Sequence, residues 1–115
     1  MATKTFTARP LNPQPRTIYS VTMAQNDTCS PLDVSSFGGE RSIQVSGTFG
    51  GATIGLGGSN EVIGAHPVAL HDIDGTTIAI TSANLLVVKE CTGFLTPTIS
   101  GGDGTTSLLI SILAG

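Results

Sequence analysis

Charge is scarce in this chain, aromatic side chains scarcer, and tryptophan absent. Only 11% of the 115 residues are charged, and one Tyr and four Phe are the only aromatics. A soluble monomer usually carries about a quarter to a third charged residues on its surface. Part of this surface is therefore expected to lie against protein. A sugar-binding groove normally stacks its ligand on aromatic faces, which this composition barely supplies. Two cysteines far apart, Cys29 and Cys91, make no disulfide framework. They are expected to be free and largely buried thiols, with a single disulfide between them as the lesser reading, and a Cys pair alone holds no metal. No run approaches the ~20 apolar residues of a membrane helix, the longest being Leu108 to Leu113. Residues 1–15 lack the apolar centre of a secretory signal. No membrane partner is expected.

Catalytic and metal-binding patterns are also missing. His66 and His71 are the only histidines. Their odd spacing places them on opposite faces of a strand, so a shared metal is not expected and both read as solvent-facing loop residues. Asp72 and Asp74 before Gly75 lack the later ligands of a calcium loop and read as a turn. Gly55-Leu-Gly-Gly58 lacks the lysine and helix of a phosphate loop. No Gly-x-Ser-x-Gly occurs, and neither cysteine has a histidine nearby in sequence. The chain is not expected to be an enzyme, and no cofactor is implied.

What is present is glycine, fifteen of them, amid many Ser and Thr. This composition points to an all-β protein rich in turns. From Arg41 to Leu56, Ile43, Val45, Gly47 and Phe49 alternate with polar residues, Gly50-Gly51 interrupts, and Ala52, Ile54 and Leu56 resume. Period two marks half-buried strands, and the glycine pair predicts a β-hairpin. Tyr19, Val21 and Met23 share a strand face; Leu32 and Val34 point inward from another. Gly57 to Asn60 reads as a loop, and Glu61 to Pro67 as irregular. Leu85 to Cys91 is apolar on both faces and so predicted to be central. Pro97 marks Phe94 to Ile99 as an edge or a strand end. Asp103-Gly104 signals another hairpin. About eight or nine short strands at this spacing imply a sandwich or barrel over residues 17–115.

Residues 1–16 read differently. Pro10, Pro13 and Pro15 favour an extended, polyproline-like arm. Residues 1–26 hold Lys4, Arg9 and Arg16 and no acid, while residues 27–115 hold Arg41 and Lys89 against all eight acids. A basic arm on an acidic body is expected to meet an acidic partner surface. Three charges are too few for a nucleic-acid tail, so no nucleic acid is expected.

Several segments stand in an order that resembles a known family. They are Asn26-Asp-Thr28 with Pro31, Arg41 to Thr53, Gly58-Ser-Asn60, Leu70 with Asp72 and Gly75, Pro97, and Ser100-Gly-Gly-Asp-Gly-Thr-Thr106 with Leu108. Together they resemble the small decoration, or cement, proteins of tailed-bacteriophage heads, over roughly residues 26–110. The resemblance implies a jelly-roll-like antiparallel β-sandwich that binds the outer face of the virion capsid after synthesis in the host cytoplasm. It implies the major capsid protein as partner, bridged between neighbouring capsomers, and a homo-oligomer, dimer before trimer, without enzymatic activity. Where the family continues Ser-Asn with Asp-Gly and soon a Trp, this chain has Glu61-Val-Ile-Gly-Ala-His-Pro67. Residues expected to contact capsid or a sister subunit are therefore Lys4, Phe6, Arg9, Pro10, Leu11 and Arg16 on the arm, and Glu61, Val62, Ile63 and His66 on the loop. The competing reading is a receptor- or glycan-binding module of a tail fibre or spike.

Overall fold

A computed structural model describes residues 2–11 and 16–115. Twelve strands run along these residues: β1 (Thr3–Lys4), β2 (Thr7–Leu11), β3 (Arg16–Ala24), β4 (Thr28–Cys29), β5 (Leu32–Asp33), β6 (Arg41–Thr48), β7 (Ala52–Ser59), β8 (Val68–Ala69), β9 (Ala79–Ile80), β10 (Asn84–Val88), β11 (Phe94–Gly101) and β12 (Ser107–Ala114). The expected all-β antiparallel sandwich is present. The first sheet has the order β10-β6-β12-β3-β2. The second has the order β5-β11-β7-β8, with β9 beside β8 along the same edge of β7. A small parallel pair, β1-β4, completes the fold.

Alternation builds the core. On β12, Leu108, Ile110, Ile112 and Ala114 face inward, fully buried, while Leu109, Ser111 and Leu113 face out. Ile43 and Val45 on β6, Val21 and Met23 on β3, and Ile54, Leu56 and Leu95 from the opposite sheet close the layer. The same rule carries Arg41 inside, because it shares a face with Ile43 and Val45.

Four expectations are corrected. The stretch Arg41–Leu56 is not a hairpin. A tight turn does form, with the Ala52 N–H donating to the Phe49 carbonyl at 2.9 Å and Gly50 and Gly51 at positive φ. Yet β6 pairs with β10 and β12, whereas β7 pairs with β11, β8 and β9. The turn is an arch between sheets, because both strands spend their backbone hydrogen bonds on other neighbours. Gly57, Gly58 and Ser59 continue β7 instead of forming a loop. β10 is not central but an edge of the first sheet, with Leu85 61% and Val87 37% exposed. Within the segment expected as an extended, polyproline-like docking arm, Thr7–Leu11 instead pair as β2, the other edge of that sheet, where a proline is tolerated. Pro13 and Pro15 lie outside the described residues.

Pro97 sits in β11 opposite Leu56, and β5 covers β11 only at Phe94 and Leu95. The strand is thus a local edge at the proline, as expected. Cys29 is buried, and burial pushes its thiol up to about 11; Cys91 is free but exposed, not buried.

Candidate functional site

The segment from Ser59 to His71 leaves β7 and wraps the end of the second sheet. Its anchors are specific. The buried Ser59 hydroxyl donates to the Ala65 carbonyl and accepts the Glu61 N–H at 3.0 Å. Asn60 Oδ1 accepts the Gly93 N–H at 2.8 Å. A single 3₁₀ turn, Val62–Gly64, follows, closed by the Gly64 N–H on the Glu61 carbonyl at 2.9 Å.

Within this turn Ile63 adopts φ 64°, ψ 18°, and just beyond it His66 adopts φ 55°. Left-handed backbone is unfavourable for a β-branched side chain, by roughly 1–3 kcal/mol. Gly64 also has positive φ, and a Cβ there would sit 2.6 Å from Pro31 Cβ, so only glycine fits against β5 and β11. The strained turn lifts Val62 and Ile63 into solvent, 81% and 78% exposed. Val68 adds a third exposed apolar side chain, at 68%. Beneath the turn the Glu61 carboxylate meets His66 Nδ1 at 3.1 Å.

A recess of about 370 Å³ adjoins the turn, lined by Glu61, His66, Val68, His71 and Glu90 among others. The two histidines expected on opposite faces thus border one hollow. His71 Nδ1 lies 2.6 Å from Glu90 Oε2, and the His71 backbone N–H donates to Oε1 at 2.9 Å. These hydrogen bonds, the side-chain one first, hold the Glu90 carboxyl below the usual glutamate range. Each histidine is engaged by its own glutamate, and Ser59 Oγ is spent on Ala65, so no nucleophile–base pair assembles from these groups. Among the described residues no three or more His, Cys, Asp or Glu side chains could hold a metal ion.

The arm residues lie elsewhere. Lys4 is half-buried, its ammonium 3.9 Å from Asp27 Oδ2. Phe6 packs against the core, and Arg9 and Pro10 are exposed on β2 with Leu11 half-buried. Arg16 is exposed at the start of β3. The structure therefore splits the expected contact residues: β2 and β3 belong to the first sheet, while the 61–66 loop packs on the second. Two groups went unseen in the sequence. One is the Leu85–Val87 edge; the other is the buried Arg41, whose in-register spacing with Ile43 and Val45 was the available signal.

All five aromatics are partly buried, and Tyr19 meets Phe37 edge-on at 6.4 Å. No protein-family model matches the chain, and no curated protein matches it significantly.

Proposed function

We propose that this protein decorates the outer surface of a bacteriophage head, binding the assembled capsid lattice and bridging neighbouring capsomers. The observation that carries this reading is the Val62–Ile63 knob: two adjacent apolar side chains held in water by a strained but well-anchored turn. Apolar side chains in such a position contribute most when a partner pocket removes them from water. The knob falls in the loop where the chain departs from the cement-protein pattern, as a contact adapted to a particular shell would. A low-charge sandwich supplies the rigid platform. A ligand that binds only the assembled lattice stabilises it by mass action, and copies spanning many capsomer joints add their effects.

The test is to pellet naked, expanded heads with wild-type protein and with Val62→Ser/Ile63→Asn protein. Asparagine tolerates the left-handed backbone, so the variant should melt at or slightly above the wild-type temperature. Its shell affinity should fall at least about tenfold, as for loss of an interface anchor. Equal binding by both proteins would contradict the assignment of the knob as the contact.

A further inference from the structure

We infer that the recess beside the Val62–Ile63 knob is a socket that receives an arginine side chain from a protein partner, whatever assembly that partner belongs to.

Three observations carry it. The first is shape. The recess, of about 370 Å³, lies between the end of β7, the knob loop, β8 and the segment after β10. Pockets that hold small molecules begin at about 300 Å³, so there is room for a group the size of one side chain. Val68 and Leu70 give it an aliphatic wall, and no Phe or Tyr lines it. A long basic side chain uses this combination. Its methylene stem lies along apolar surface while its charged head reaches polar acceptors.

The second is charge. The ionisable side chains that line the recess are Glu61, His66, His71 and Glu90. With histidine counted neutral, as in the formal charge of -3 for the whole chain, the lining carries two negative charges and no positive one. Lys89 precedes Glu90 in sequence but does not line the recess. A Cβ built on Gly75 would stand 4.0 Å from its Nζ, so the ammonium reaches over the Asp72–Gly75 turn instead. Asp72 is also outside the lining, its Oδ1 accepting the Asp74 and Thr76 N–H groups at 3.0 Å. Among the described residues, the chain places no base of its own in the hollow.

The third is the set of acceptors left over. Glu61 Oε1 faces His66 Nδ1, while Oε2 accepts no hydrogen bond among the described residues. Both Glu90 oxygens meet His71, yet a carboxylate has more lone pairs than these contacts use. A guanidinium presents a planar fork of donors that can serve both carboxylates, whereas an ammonium acts as a point charge. The Glu61 backbone is already fixed by its N–H on Ser59 Oγ, and Asn60 is fixed on Gly93. Little ordering remains to be done when the cation arrives, which favours binding.

The test is to titrate the full chain, labelled with nitrogen-15, with Nα-acetyl-arginine amide and to follow backbone amide shifts. The uncharged citrulline analogue, of the same shape, is the control. The arginine probe should give saturable shifts centred on residues 58–71 and 90–92, which border the recess. Its dissociation constant should be on the order of millimolar, as for a ligand of this size. The citrulline probe should not saturate. Glu61→Gln, at an exposed position, should keep the wild-type far-UV CD spectrum and melting temperature and weaken the arginine probe by about fivefold or more. Absence of saturable shifts, equal binding of citrulline, or wild-type affinity in Glu61→Gln would each overturn the inference. Because the probe is a single capped amino acid, failure here leaves head attachment standing, and failure to bind heads leaves the socket standing.

Discussion

Arg41, 2% exposed, satisfies its guanidinium on backbone rather than on a carboxylate. Its Nη2 donates to the carbonyls of Val34, Phe37 and Thr92 at 3.0, 2.9 and 3.2 Å, and its Nη1 donates to Gly39. One side chain thus ties the 34–39 loop and the start of β11 to β6. Its Nε is buried without a partner, an unfavourable feature set against the four carbonyls that the other guanidinium nitrogens engage. Arg41→Met should destabilise the fold by about 3 kcal/mol, read as a lower urea midpoint at unchanged slope. A loss below about 1 kcal/mol would show that the loop holds itself. Ile63 is the opposite case, a residue whose backbone strain disfavours the fold while its side chain faces solvent. Strain of this kind is retained where function needs it.

At the scale of elements, the two sheets explain what each strand contributes. β12 supplies a fully buried inner stripe. β10 packs Val88 inward and leaves Leu85 outside. Ile112→Ala should therefore cost about 2–5 kcal/mol, whereas Leu85→Thr should change stability by less than about 0.5 kcal/mol under monomeric conditions. Urea unfolding of both variants checks the contrast, and a large effect of Leu85→Thr would mean that edge is covered within the chain. The same distinction marks the limit of what the sequence revealed. Alternation at Ile43, Val45, Ile54 and Leu56 disclosed which side chains face the core, since period two is a local property. It could not disclose which strand lies alongside, since pairing is decided by competition among distant segments, and so an arch read as a hairpin. Leu85 to Val88 misled for a related reason: apolar residues on both faces imply burial, but not whether a chain buries them against itself. Of the candidate site, the loop after Asn60 was legible as a departure from the family pattern. The left-handed Ile63–Gly64 turn, with Gly64 close against Pro31 and Phe94, and the recess that His66 and His71 share with Glu90 bring together residues distant in sequence, which no local pattern encodes.

The whole molecule has an acid limit written into its turns and ends. Asp27 accepts from the Ala24 and Ala2 N–H groups, 2.8 and 3.0 Å away; the Ala24 bond, then the Ala2 bond and Lys4 hold its carboxyl below the usual aspartate range. Asp33 and Asp103 are held down by side-chain, then backbone, hydrogen bonds from Ser35 and Thr105, and Glu90 by His71. Each folded pKa lies below its unfolded value, so each contribution is present above the unfolded pKa and is lost as pH falls through the folded one. Melting temperature should hold steady from neutral pH down to about 5 and fall below about 4. Glu90→Gln should shallow that fall, and an unchanged acid limb in this variant would remove Glu90 from the account.

A low-charge sandwich with one raised apolar knob, Val62–Ile63, is what supports the proposal of attachment to another protein surface. On the proposed function, the surface that this protein meets is that of an assembled head. The most direct measurement counts bound copies after incubating the protein with naked expanded heads and, separately, with free capsid subunits. Binding to heads should saturate in fixed proportion to capsid subunits, with little or none to free subunits. Absence of the protein from pelleted heads, or equal binding to free subunits, would contradict it.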